Sequence, residues 1–157
     1  MRRIRTAAAV ALAVAGVLAA STSPAVAATA SAAAHDECTH TAPAAGAVAY
    51  AKQQIGKPYR FGATGPSAFD ASGLIVAAYG SVGITLPHDI DQLAAQTTVV
   101  RPADIREGDL VFYGTQTTAN IALYIGGGQV IGVFRLGTSV HVESIADNPV
   151  FEYTRVA

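Results

Sequence analysis

The sequence holds 157 residues, 51% of them apolar and 13% charged, with 10 Lys and Arg against 11 Asp and Glu. That length suits one domain with a core of its own. The charge balance leaves no basic patch to support a nucleic-acid partner, and the single cysteine, Cys38, excludes a disulfide within one chain.

Arg2, Arg3 and Arg5 precede an apolar run of Ala, Val, Leu and Gly that reaches Ala20, and Ala25-Val26-Ala27 supplies small residues. A basic start, a short apolar stretch and an A-x-A site read as a secretory signal over residues 1–27, so the mature chain is expected outside the cell. The apolar run falls short of the roughly 20 residues that cross a bilayer. No membrane contact is expected once the signal is removed. Its removal takes three arginines and leaves seven basic against eleven acidic residues, a net charge of −4.

Residues 28–45 read as a flexible linker, rich in Ala and carrying His35, Asp36, Glu37, His40 and Pro43 without a hydrophobic period. His35, Cys38 and His40 lack a fourth ligand and a rigid frame, so no metal or other cofactor is assigned. Cys38 is expected as a free thiol, with a disulfide-linked dimer as the alternative.

Order is expected from Gly46, giving a domain over 46–157. Val48, Ala51 and Ile55 recur at helical spacing, and Gly56-Lys57-Pro58 stops that helix. Tyr59 to Ser67 is a loop punctuated by Gly and Pro. Leu74, Ile75, Ala77, Ala78 and Tyr79 make a second apolar helix, capped by Asp70 or Ser72 and ended at Gly80 or Gly83. Residues 91–96 suggest a short third helix. Strands follow over 109–113, 121–125, 129–133, 139–144 and 151–156, with Gly126-Gly127-Gly128 turning the second into the third. In the fourth, Val140 and Val142 point one way and His141 and Glu143 the other. Helices first and hairpin-linked strands afterwards predict an α+β domain with N-terminal helices packed on an antiparallel sheet.

Five segments, in order, resemble motifs of the NlpC/P60 family. Ile55-Gly56-Lys57-Pro58-Tyr59-Arg60-Phe61-Gly62 is similar to its opening (I/L)-G-x-P-Y-x-(W/F)-G. Phe69-Asp70-Ala71-Ser72-Gly73-Leu74 is similar to F-D-C-S-G-L, and Glu107-Gly108-Asp109-Leu110-Val111-Phe112 to P-G-D-L-V-F. Asn120-Ile121-Ala122-Leu123-Tyr124-Ile125-Gly126 resembles H-V-(G/A)-(I/L)-Y-(I/L)-G, and Val130-Ile131-Gly132 falls where M-I-H stands. The resemblance implies a fold like circularly permuted papain. It also implies an activity on amide bonds in the peptide stems of bacterial peptidoglycan, often next to D-glutamate and a diamino acid.

In that family a Cys at a helix start gains thiolate character from the helix dipole and a nearby His. The His, on the first core strand, relays the proton, and a third polar residue orients it. Here the nucleophile position is Ala71, the base position Asn120 and the orienting position Gly132. A methyl group has no lone pair, a carboxamide does not titrate near neutral pH, and glycine has no side chain. Loss of the nucleophile alone costs on the order of 10⁶ in rate in a triad enzyme. Neighbouring positions differ as well: Phe134 and Leu136 stand where Pro and Thr are usual, and His88-Asp89-Ile90 replaces Arg-Thr-Ser. That wider drift speaks for a natural loss rather than a single engineered substitution.

Replacement chemistry would need Ser72 paired with His88 or His141, Cys38 folded back into the cleft, or a metal on His88, Asp89 and Asp91; each signal is weak. What the resemblance preserves is a binding frame. Tyr59, Asp70 and Ser72 match positions that hold the free amino end of the stem peptide, where a carboxylate and hydroxyls suit an ammonium group. The same residues also suit plainer roles: Asp70 as helix cap, Tyr59 packed in its loop, Ser72 in the first helical turn. Arg135 matches a family position that is equally consistent with a structural role. Three functions follow: a catalytically inactive module binding peptidoglycan stem peptides or regulating wall hydrolysis, a secreted interaction protein with a cell-wall protein partner, or a peptidase with relocated residues. Fold alone does not choose among them. An open polar cleft between Ala71, Asn120 and Tyr59 favours the first, and a cleft filled by Phe134 the second.

Overall fold

The computed structural model describes residues 34–115 and 120–157, with 34–41 described by backbone alone. The signal segment lies outside these residues, as do the side chains of His35, Cys38 and His40. Helix α1 runs Ala34–Gln53, α2 Ala71–Gly80 and α3 Ile90–Gln96; strands are β1 Thr98–Val99, β2 Leu110–Tyr113, β3 Asn120–Tyr124, β4 Gln129–Gly132, β5 His141–Ser144 and β6 Val150–Arg155. The six strands form one sheet in the order β1-β6-β2-β3-β4-β5, every pairing antiparallel. Helices packed on an antiparallel sheet make the α+β architecture expected from the sequence.

Period-2 alternation along the strands builds two cores. Leu110, Phe112, Ile121, Leu123 and Ile131 face the helices, where they pack with Ala47, Ala51, Leu74, Ile75 and Ala78. The other face carries Val111, Tyr113, Ala122 and Val130, covered by Phe134, Ile145, Val150 and Tyr153. Each large side chain fully buried in this way contributes about 1.5–3 kcal/mol relative to exposure.

The first helix differs from the sequence reading at both ends. It begins at Ala34, inside the segment read as linker, in keeping with the high helix propensity of alanine. It stops before Ile55, which is exposed, while Gln54 is buried in its place. Gln54 is satisfied there by donating to the Tyr50 carbonyl and accepting from Lys57 Nζ. Strand β1, absent from the sequence reading, is two residues long and pairs only with the chain's last strand.

One ion pair locks the end of the sheet. The Arg155 guanidinium bonds both Asp109 carboxylate oxygens at 2.7 Å, and Asp109 is almost wholly buried. That bond holds the Arg155 pKa above its ordinary value. Asp109 also accepts from the Arg106 N–H at 2.7 Å, closing the Gly108 turn into β2. Among the described residues, no helix is long and apolar enough to cross a membrane.

Candidate functional site

The start of α2 is organised by one carboxylate. Asp70 is its N-cap, with extended backbone at φ −98° and ψ 179°. Oδ1 accepts from the Gly73 N–H at 2.6 Å, from Ser72 Oγ at 3.3 Å and from His88 Nε2 at 2.8 Å, while Oδ2 accepts from the Gly62 N–H at 2.7 Å. The Asp70 N–H in turn donates to the Ala63 carbonyl at 2.8 Å. Backbones approach so closely that a Cβ on Gly73 would lie 2.1 Å from the Ala63 oxygen. The Asp-Ala-Ser-Gly run is therefore held by capping and packing as well as by any ligand. Ala71 occupies the first helical position behind this cap and is buried.

Across the sheet the chemistry is different. Asn120 opens β3; its Nδ2 donates to the Phe134 carbonyl at 2.9 Å and its Oδ1 accepts the Ile121 N–H at 3.0 Å. Gly132 closes β4 opposite His141. A Cβ at Gly132 would stand 2.8 Å from Phe134 Cζ and 3.2 Å from the Ala122 methyl. The Phe134 ring therefore takes the space of a side chain at that position. It meets Tyr113 edge-on at 6.0 Å and His141 edge-on at 5.6 Å, a geometry that matches ring edge to ring face. His141 is half-buried, with Nδ1 2.6 Å from the Ser139 carbonyl and Nε2 3.5 Å from a Glu143 carboxylate oxygen. The buried Tyr113 hydroxyl has no hydrogen-bond partner among the described residues. Desolvation, with the Glu143 charge second, raises its pKa above the ordinary tyrosine value.

The residues expected to bind a ligand are partly gathered. Asp70 and Ser72 share a hydrogen bond and are both buried. Tyr59 is half-buried against the main core and runs beside Phe69, with its N–H on the Thr138 carbonyl at 2.9 Å. The adjoining loop, residues 60–65 with 67 and 68, lines a cavity of about 350 Å³. Arg135 lies exposed on the turn after β4, and that turn is closed by the Thr138 hydroxyl on its carbonyl at 2.6 Å.

The replacement chemistries fare differently from one another. In a serine triad the imidazole stands between hydroxyl and carboxylate. Here the Asp70 carboxylate stands between Ser72 and His88, an order that gives the serine a carboxylate and not an imidazole as partner. Of the metal candidates, His88 is spent on Asp70 and Asp89 caps α3 through the Gln92 N–H at 2.9 Å. Two contacts were not foreseen from sequence, the His88–Asp70 pair and the Tyr113–Phe134–His141 cluster. His88 and Phe134 had both stood out as departures from the family pattern, which was the one signal available.

A helix start carrying F-D-x-S-G, packed on an antiparallel sheet whose first core strand carries N-I-A-L-Y-I-G, defines the class. The NlpC/P60 family pattern matches residues 56–156, and the chain belongs to that family. It is 40% identical over 95 residues to a probable endopeptidase of Corynebacterium glutamicum, covering 60% of this chain and 45% of that one. It is 34% identical over 103 residues to the murein DD-endopeptidase MepH of Escherichia coli, covering 61% and 38%. The chain thus spans less than half the length of these relatives. Among solved structures, the NlpC/p60 domain of the peptidoglycan hydrolase SagA superposes with a TM-score of 0.67 at 31% identity, covering 72% of this chain and 98% of that one. RipD of Mycobacterium tuberculosis, described as a non-catalytic NlpC/p60 domain protein adapted to peptidoglycan binding, superposes at 0.62 with 33% identity, covering 72% and 95%.

Proposed function

We propose that this chain is an exported, catalytically inactive NlpC/P60 domain that binds peptidoglycan stem peptides in the cell wall or regulates their hydrolysis. The observation that carries the reading is the contrast at the site. Attack, proton relay and alignment would fall to a methyl group, a carboxamide engaged with backbone and a glycine overlain by Phe134. A buried carboxylate remains at the start of α2, accepting from the Gly62 N–H of a loop that itself lines a cavity. A carboxylate with neighbouring hydroxyls suits a peptide's free ammonium end. The likeness to RipD supports the same reading.

Purified mature protein should pellet with isolated sacculi, give measurable heat with soluble muropeptides and release no peptide fragments from sacculi. Fragment release abolished by a substitution in the cleft would overturn inactivity. Absence of both pelleting and heat would overturn binding.

A second reading, a secreted interaction protein with a cell-wall protein partner, is favoured by Phe134 occupying the side-chain space at Gly132 and by the exposed Phe61 and Leu136. Capture of a specific wall protein together with failure to bind sacculi would decide for it.

A further inference from the structure

The Asp70 carboxylate has about four acceptor positions, and four donors already stand on it. Three of them build the local frame: Gly73 in the first turn of α2, Ser72 beside it and Gly62 in the facing loop. The fourth, His88, comes from the loop between α2 and α3. That loop is anchored to the core by Ile84, Leu86 and Ile90 on either side of it. The His88 side chain is 31% exposed, against 10% for Asp70. Rotating the imidazole outward thus requires no movement of the anchored loop, and the helix cap keeps its Gly73, Ser72 and Gly62 bonds. Of the four partners, His88 alone comes from outside the start of α2 and its facing loop.

We propose that His88 is an internal stand-in for the ligand's ammonium group: its Nε2 occupies Asp70 in the free protein and leaves when a peptide with a free amino end docks. The proposal rests on the binding reading above and makes His88 the residue that sets affinity and selectivity for an amine. One N–H donor replaces another on the same oxygen, so the gain from the incoming ammonium is offset by the loss of the imidazole contact. A chain without His88 leaves only the Gly73 and Ser72 donors on that oxygen. A ligand whose amino end is acetylated carries no ammonium charge and offers only a neutral amide N–H, a weak competitor for the carboxylate, so its affinity gains little from removal of His88.

The test uses the mature protein and its His88→Ala variant, both first shown to melt cooperatively. Each is titrated by calorimetry with a synthetic peptidoglycan stem peptide bearing a free amino terminus, and with the same peptide N-acetylated. The variant is expected to bind the free-amine peptide about tenfold tighter than wild type, the equivalent of losing one competing charge-assisted hydrogen bond. Any residual affinity for the acetylated peptide is expected to be equal in the two proteins. In wild type, the imidazole nitrogen resonances of His88 are expected to move as the free-amine peptide saturates the site, a readout that needs no substitution. Wild-type binding with an unchanged variant affinity, or with His88 resonances unmoved at saturation, overturns the stand-in role and leaves the binding reading intact. No binding by either protein overturns both.

Discussion

The start of α2 and the Asn120–Gly132 end of the sheet have kept different things. At the start of α2 the family motif is retained around position 71, and every polar group there is hydrogen-bonded into the fold: Asp70 to Gly62, Gly73, Ser72 and His88, with its own N–H on Ala63. At the sheet end the motif residues are replaced, and an aromatic cluster of Tyr113, Phe134 and His141 lies over the space they leave. The difference follows from what each position does besides chemistry. Asp70 caps a helix and ties down a loop, so its loss leaves buried N–H groups unpaired. A base and its orienting partner on a sheet face have no comparable structural duty; a carboxamide bonded to backbone stands at position 120, and Phe134 packs into the side-chain space at Gly132.

The largest effect should come from Asp70→Ala. It removes the α2 cap and orphans the Gly62 and Gly73 N–H groups, and a destabilisation of about 2–4 kcal/mol is expected, read as a shift in urea midpoint at unchanged slope. A loss below about 0.5 kcal/mol would mean that Asp70 is held for ligand and not for fold, and the contrast would break. An intermediate effect is expected at the sheet end from Gly132→Ala, whose new methyl meets Phe134 Cζ at 2.8 Å. The expected cost is about 1–2 kcal/mol. In a double-mutant cycle with Phe134→Leu, which draws the aromatic tip away, most of that cost should disappear, giving a coupling energy of about 1 kcal/mol. Additive effects would show that Phe134 does not take over the Gly132 side-chain space. The smallest effect belongs to Asn120→Ala, which gives up two half-buried hydrogen bonds, one to the Phe134 carbonyl and one from the Ile121 N–H. A change of about 1 kcal/mol or less is expected by thermal melting. A larger one would give the base position a structural duty like that of Asp70.

Legibility in the sequence followed the range of the interactions concerned. The cap of α2 was readable as one of two neighbours, Asp70 or Ser72, because capping joins residues three apart; Asp70 is the cap and Ser72 its hydrogen-bonded neighbour. The five longer strands were readable from alternation and glycine turns. Strand β1 was not, because two residues carry no period and its pairing partner lies at the far end of the chain. Ile55 was misplaced for a related reason: it keeps the helical period, but the helix has already ended at Gln53.

Composition, period and motif order determined by themselves that this is an α+β domain of the NlpC/P60 family, and that position 71 carries no thiol, position 120 no imidazole and position 132 no side chain. Those are properties of residue type and spacing, written along the chain. Only the tertiary structure decided what stands in the emptied places. Phe134, lying over Gly132, meets Tyr113 of β2, and His88 reaches across from the next loop to Asp70, 18 positions earlier. Contacts between segments so far apart depend on how helices, loops and sheet pack together, and no local pattern encodes that packing.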